Sequence, residues 1–152
     1  MTGKSDSLQI GGRDLGNILG LKFHHLGVAT RRIARERRVW EAIGYSQEGE
    51  AFSDPIQQIA GIFLAGPGPR LELLEPLPGS LVLHGWIERG VKIYHHAFEV
   101  ASVPNSLDEL LSLGARVVVE PVSAAAFGGR RISFVTLPSM NMIELIEQDT
   151  TR

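Results

Sequence analysis

The chain of 152 residues has no cysteine. That excludes disulfides, thiolate metal sites and cysteine nucleophiles, and it fits an expectation of a cytoplasmic setting. Long apolar runs are missing too. None approaches the roughly 18 residues of a transmembrane helix. Residues 1–20 are polar and glycine-rich, without the apolar centre of a signal peptide, and read as a polar N-terminal extension. No membrane partner is expected. Nor is there a basic excess: the formal net charge is −2, so nothing is set to neutralise phosphates, and no nucleic-acid partner is expected. A Ser/His/Asp nucleophile arrangement is absent, and Gly66-Pro67-Gly68-Pro69 is a chain breaker that lacks the lysine of a phosphate-cradling loop.

What is present is the balance of a soluble globular domain, 43% hydrophobic and 21% charged. It fits one domain at 21–148, with a polar tail at 149–152. A strand is predicted from Leu21 to Thr30. Thr30 is expected to cap a helix reaching Ile43, with Ile33, Trp40 and Ile43 on its buried face and Gly44 as its stop. Strands follow near 45–52, 58–65 and 70–74, with Ser53-Asp54-Pro55 as turn chemistry. A short helix carrying Leu83 and Trp86 lies between 77 and 90. A strand at 91–100 precedes a helix capped by Asn105 or Ser106, with Leu107, Leu110 and Leu111 buried. Strands at 116–120, 131–137 and 142–146 close the chain.

Each half therefore reads as strand, helix, then three strands, module one at about 21–77 and module two at about 91–148. The spacing of particular residues supports a repeat. Glu72 in Leu71-Glu72-Leu73 follows His25 by 47 residues, and Glu144 in Ile143-Glu144-Leu145 follows His95 by 49. Side chains alternate across a strand, so His25, Gly27 and Ala29 share a face, as do His95, Ala97 and Glu99. His24 and His96 are then expected to point the other way and, like His84, to be structural or surface residues. Glu72 and Glu144 sit in apolar strands, where a lone carboxylate costs several kcal/mol unless it is paired or bound to a cation. Two imidazoles and two carboxylates at equivalent positions of a duplicated unit suit one six-coordinate divalent ion with two positions open.

On these segments the chain resembles the vicinal oxygen chelate superfamily, which includes glyoxalase I, methylmalonyl-CoA epimerase, extradiol dioxygenases and bleomycin-resistance proteins. The resemblance is carried by His25-Leu26-Gly27-Val28-Ala29, Leu71 to Leu77, Tyr94 to Val100, Gly128 to Phe134 and Ile143-Glu144-Leu145, and is most specific to the epimerase-like branch. It implies an α+β fold: two βαβββ modules forming a half-open, curved eight-stranded mixed sheet around a metal cleft. It implies one divalent ion (Zn, Co, Ni, Mn or Mg) held by His25, Glu72, His95 and Glu144, a small-molecule substrate, and a homodimer. Glu144 is the catalytic carboxylate expected from it, and Arg131, in the Gly-Gly-x-Arg segment, is expected to bind substrate.

One position departs from the branch. The carboxylate that would serve as its second base falls at Gly61, which cannot move a proton. The expected activity is therefore a metal-dependent isomerase or lyase that stabilises an enolate of a small acyl-thioester or α-keto substrate, epimerase-like or glyoxalase-like. The alternatives are a small-molecule-binding or resistance protein of the same fold without catalysis, and oxygen activation at Fe(II), which the additional Glu72 disfavours.

Overall fold

The computed structural model describes residues 19–150. The expected N-terminal extension lies, but for Leu19 and Gly20, outside the described residues, as do residues 151 and 152 of the tail. Module one runs β1 (Lys22–Ala29), α1 (Ile33–Ala42), β2 (Ser46–Asp54), β3 (Ile59–Ala65) and β4 (Leu71–Pro76). A short helix, α2 (His84–Glu88), joins it to module two: β5 (Ile93–Val100), α3 (Val103–Ser112), β6 (Arg116–Ser123), β7 (Arg131–Thr136) and β8 (Met142–Glu147). The two modules share one eight-stranded mixed sheet, ordered β2-β3-β4-β1-β5-β8-β7-β6. β1 pairs with β4 in parallel, β5 does the same with β8, and β1 meets β5 antiparallel at the centre.

Alternation along the strands divides the core into two faces. On β4, Leu71 and Leu73 join Val28, Tyr45, Ile62 and Leu64 beneath α1. On β8, Leu145 joins Val100, Val103, Leu107, Leu110 and Val135 beneath α3. Each fully buried leucine there contributes about 1.5–3 kcal/mol through removal from water. Glu72 and Glu144 stand one residue out of step with these leucines and so face the other side of the sheet.

The helix starts differ from expectation. Thr30 does not cap α1; its hydroxyl donates to the Leu74 carbonyl at 2.9 Å. The cap comes from β4, where Glu75 Oε2 accepts the Ile33 N–H at 2.8 Å. α3 begins earlier than expected, at Val103, because Ser102 is its cap and accepts the Asn105 N–H at 3.3 Å, and Pro104 sits in the first turn, where its missing N–H has no cost. Ile43 and Leu111, expected to be buried, are exposed. Ile43 is the C-terminal cap residue of α1, just past the last turn that packs on the sheet.

The sheet leaves β2 and β6 as edges, and one side chain ties β2 to the turn that follows β6. Asp54, at the end of β2, is buried. It accepts the N–H groups of Ile56 and Gln57 in its own turn and the N–H of Ala125 from module two, at 3.0, 3.1 and 3.0 Å. Ala125 opens the 3-10 turn Ala125–Phe127, and the bond fixes Phe127 over the concave face. No helix among the described residues is long and apolar enough to cross a membrane.

Candidate metal centre

His25, Glu72, His95 and Glu144 come from the four central strands and meet on the concave face, all buried. The sheet register explains their meeting. Gly27 lies opposite both Glu72 and His95, and Ala97 lies opposite both Glu144 and His25. Each histidine thus crosses a small residue of the neighbouring strand. At Gly27 the space is obligatory, because a Cβ there would stand 1.9 Å from Cε1 of His95.

The four ligand atoms all lie within 4.8 Å of one another. His25 Nε2 is 2.8 Å from Glu72 Oε2, 3.2 Å from Glu144 Oε2 and 3.1 Å from His95 Nε2. His95 Nε2 is 3.5 Å from Glu72 Oε2 and 3.2 Å from Glu144 Oε2. A divalent ion with bonds of about 2.1 Å to nitrogen and oxygen sets neighbouring ligands about 3 Å apart, which these separations match. Glu144 Oε2 adds a second sign of fit: it is buried, and beyond the two imidazoles 3.2 Å away it has no polar partner among the described residues.

Electrostatics lead to the same place. Burial pulls the His25 imidazole down, but the charge of Glu72 and contacts with both carboxylates raise it to about 9. His95 is likewise raised by Glu144 and Glu72 against its own burial. Burial pushes Glu72 up, yet the His25 charge and contacts to both histidines bring it down to about 2, and the two imidazoles also lower Glu144 against burial. Two buried carboxylates that remain ionised require two positive charges between them. Two protons meet that demand, and so does one divalent cation, which also satisfies the Glu144 oxygen.

Two bulges bring further side chains to the centre. The β1–β5 register slips between Phe23 and His25, which makes His24 the extra residue, and again between Gly27 and Val28, where Tyr94 is the extra residue on β5. A bulge turns consecutive side chains toward one side, so the residue before each histidine joins it on the concave face. This corrects the expectation that His24 points away. Its Nδ1 lies 2.8 Å from Nδ1 of His25, and its ring meets Phe63 and Phe127, which also contact His25. Burial, His25 and Arg70 pull His24 down to about 4, leaving it neutral and able to accept the His25 N–H. Tyr94 meets the His95 ring edge-on at 4.5 Å, and burial together with Glu72 and Glu144 raises its hydroxyl well above the usual range. His84 and His96 are exposed, as expected.

Glu72 and Glu144 of the centre open onto a cleft of about 670 Å³, lined also by Leu74, Leu83, Trp86 and Tyr94 and by Val119, Val122 and Phe134. Arg131 does not line it. Its Nε lies 3.2 Å from Glu147 Oε2, and its side chain is 55% exposed near the end of β8. Gly61 faces Phe52 and Leu74: a Cβ there would stand 2.3 Å from Cζ of Phe52, so an aromatic ring fills the space beside it. Sequence reasoning missed His24, Tyr94 and Phe52. The adjacency of His24 and Tyr94 to His25 and His95 was the only local sign of the first two.

A family model, Glyoxalase/Bleomycin resistance protein/Dioxygenase superfamily, matches residues 24–134. No curated protein matches the chain. Among solved structures, a hypothetical protein from Bacillus halodurans C-125 is similar at 24% identity and a TM-score of 0.73, over 87% of this chain and 97% of that one. Methylmalonyl-CoA epimerase from Mycobacterium tuberculosis is similar at 25% identity and a TM-score of 0.69, over 84% and 87%. A variant of Streptomyces coelicolor methylmalonyl-CoA epimerase in complex with 2-nitronate-propionyl-CoA is similar at 22% identity and 0.69, over 85% and 95%. These likenesses support the fold.

Proposed function

The chain belongs to the glyoxalase/bleomycin resistance/dioxygenase superfamily, and from that premise we propose that it is a divalent-metal-dependent isomerase or lyase acting next to a carbonyl in a small acyl-thioester or α-keto substrate. One observation carries this reading: four buried side chains converge at hydrogen-bonding distances, and two of them, Glu72 and Glu144, line a cleft. His25, Glu72, His95 and Glu144 would hold the ion. When bound, a divalent ion supplies Lewis acidity to substrate oxygens as charge develops on them.

The chain's own residues do the rest. Glu144 lines the cleft, and it is the carboxylate we assign to proton transfer, acting while it is released from the ion. The Tyr94 ring and the apolar walls exclude water around it. A single carboxylate suffices when a proton leaves and returns on one face, as in a glyoxalase-like isomerisation. Inversion of a carbon centre needs a second group, and the space beside Gly61 holds Phe52 instead. That observation favours a second reading, in which the cleft holds a small molecule without turning it over.

The test joins metal content to proton exchange. Purified protein supplemented with Zn, Co, Ni or Mn is expected to retain about one equivalent; less than about 0.2 equivalents would sink the metal-dependent reading. The loaded protein is then incubated with methylmalonyl-CoA and shorter acyl-CoA thioesters in D2O while the α-proton signal is followed. Exchange by the loaded protein that stops when the metal is removed supports catalysis. Binding without exchange supports the second reading. Sedimentation of the same sample tests the expected homodimer.

A further inference from the structure

We infer that the substrate, beyond the oxygens that reach the four-residue centre, is a neutral and apolar acyl chain. This rests on the metal-dependent reading above and adds the substrate class to it. The reason is the charge of the cleft. Among the described residues that line it there is no lysine and no arginine. Its charged groups are three carboxylates: Glu72 and Glu144 on the floor, and Glu120, an exposed residue of β6, at the rim. The two floor carboxylates offset the charge of a divalent cation, so the loaded centre has no net positive charge left for a distant anion. Glu120 adds a negative one.

Nearby guanidiniums stand outside the cleft lining. Arg89 lies against the Trp86 ring at 5.0 Å, and Arg130 against the Phe127 ring at 5.7 Å, but neither lines the cleft. Arg130 is committed to the Glu99 carboxylate and the Glu147 carbonyl. The amides at the rim, Gln57, whose Nε2 donates to Asp54, and Gln58, whose Oε1 accepts from Ser80, are neutral and add no positive charge. A carboxylate on the substrate tail would lie against Ile56, Val82, Leu83, Val118 and Val122 with no cation among the lining residues to meet it. Burying a charge in such surroundings is unfavourable, whereas a hydrocarbon chain is favoured there by its removal from water.

The experiment compares two thioesters of equal length, hexanoyl-pantetheine and adipyl-pantetheine, which differ by a terminal carboxylate. Each is titrated calorimetrically into the metal-supplemented protein and into its Glu120→Lys variant, with bound metal measured on the same samples. Hexanoyl-pantetheine is expected to bind about tenfold more tightly to the parent or better. Glu120→Lys, at an exposed position, is expected to shift the ratio toward adipyl-pantetheine by about tenfold. Equal or tighter binding of adipyl-pantetheine to the parent overturns the inference. So does an unchanged ratio in the variant, or no saturable binding of either probe. Protein that lacks metal yet prefers the hexanoyl chain supports this inference and sinks the metal-dependent reading. Protein that retains metal and prefers the adipyl chain does the reverse.

Discussion

His24 Nδ1 lies 2.8 Å from His25 Nδ1, although the two residues are consecutive in a strand. Regular alternation would send them to opposite faces. The bulge at His24 brings them together, so the N–H on the far side of the His25 ring has an acceptor and Nε2 is left facing the carboxylates. His95 has no such support: its Nδ1 is buried without a hydrogen bond, and its ring is held by Tyr94, by Phe134 at 5.1 Å and by the absent side chain of Gly27. Equivalent ligands of the two modules are positioned by different means.

His24→Leu removes the acceptor while keeping an apolar side chain against Phe63 and Phe127. Partners of this kind set ligand orientation, and their loss weakens metal binding by about 10–100-fold. His24→Gln, which keeps a side-chain acceptor, is expected to recover part of the affinity. Competition with a chromophoric chelator reads both; parent-like affinity in the leucine variant would count against the role of this contact.

Gly27→Ala puts a methyl group where the His95 ring stands. The expected result is loss of metal retention with a destabilisation of about 1–3 kcal/mol, read from metal content and urea denaturation. His95→Ala and Glu144→Gln are expected to lose the metal as well, since each removes one of four ligands. Were all three variants to hold metal as the parent does, the ligand assignment would be wrong.

The pH dependence has a definite sign. In metal-free protein His25 is raised from 6.5 to about 9, so its contribution to stability is full below 6.5 and is lost as pH rises through 9. Glu72 is lowered from 4.5 to about 2, so its contribution is present above 4.5 and is lost as pH falls through 2. Metal-free protein should therefore be most stable between these windows, in mildly acidic solution. Metal binding requires neutral imidazoles and displaces their protons, so stabilisation by metal should grow as pH rises toward 9. Urea midpoints across pH, with and without a chelator, test this; a gain of stability from pH 6.5 to 9 in the metal-free protein contradicts it.

Asp54→Ala leaves the N–H groups of Ile56, Gln57 and Ala125 without their acceptor. The expected loss is about 1–3 kcal/mol, with faster amide exchange at Ala125 as the module-two turn comes away from β2. Asp54→Asn keeps an acceptor oxygen and is expected to lose less. Unchanged protection at Ala125 in the alanine variant would show that the turn is held by other contacts.

The amino-acid sequence pointed to the four proposed ligands through the 47- and 49-residue spacing of a repeated unit, and to the two-module order through the periodicity of its segments. A carboxylate one step out of phase with buried leucines, as at Glu72 and Glu144, shows which face it takes without knowledge of any partner. Tertiary structure alone decided which residues meet across strands. The bulges at His24 and Tyr94 exist only as a mismatch between β1 and β5, some seventy residues apart in the chain, so no local pattern around either residue contains them. The same holds for Glu75 capping α1, Phe52 beside Gly61, and Arg131 turned to Glu147. Each depends on the register in which distant segments pair, and that register is set by the packing of the whole sheet.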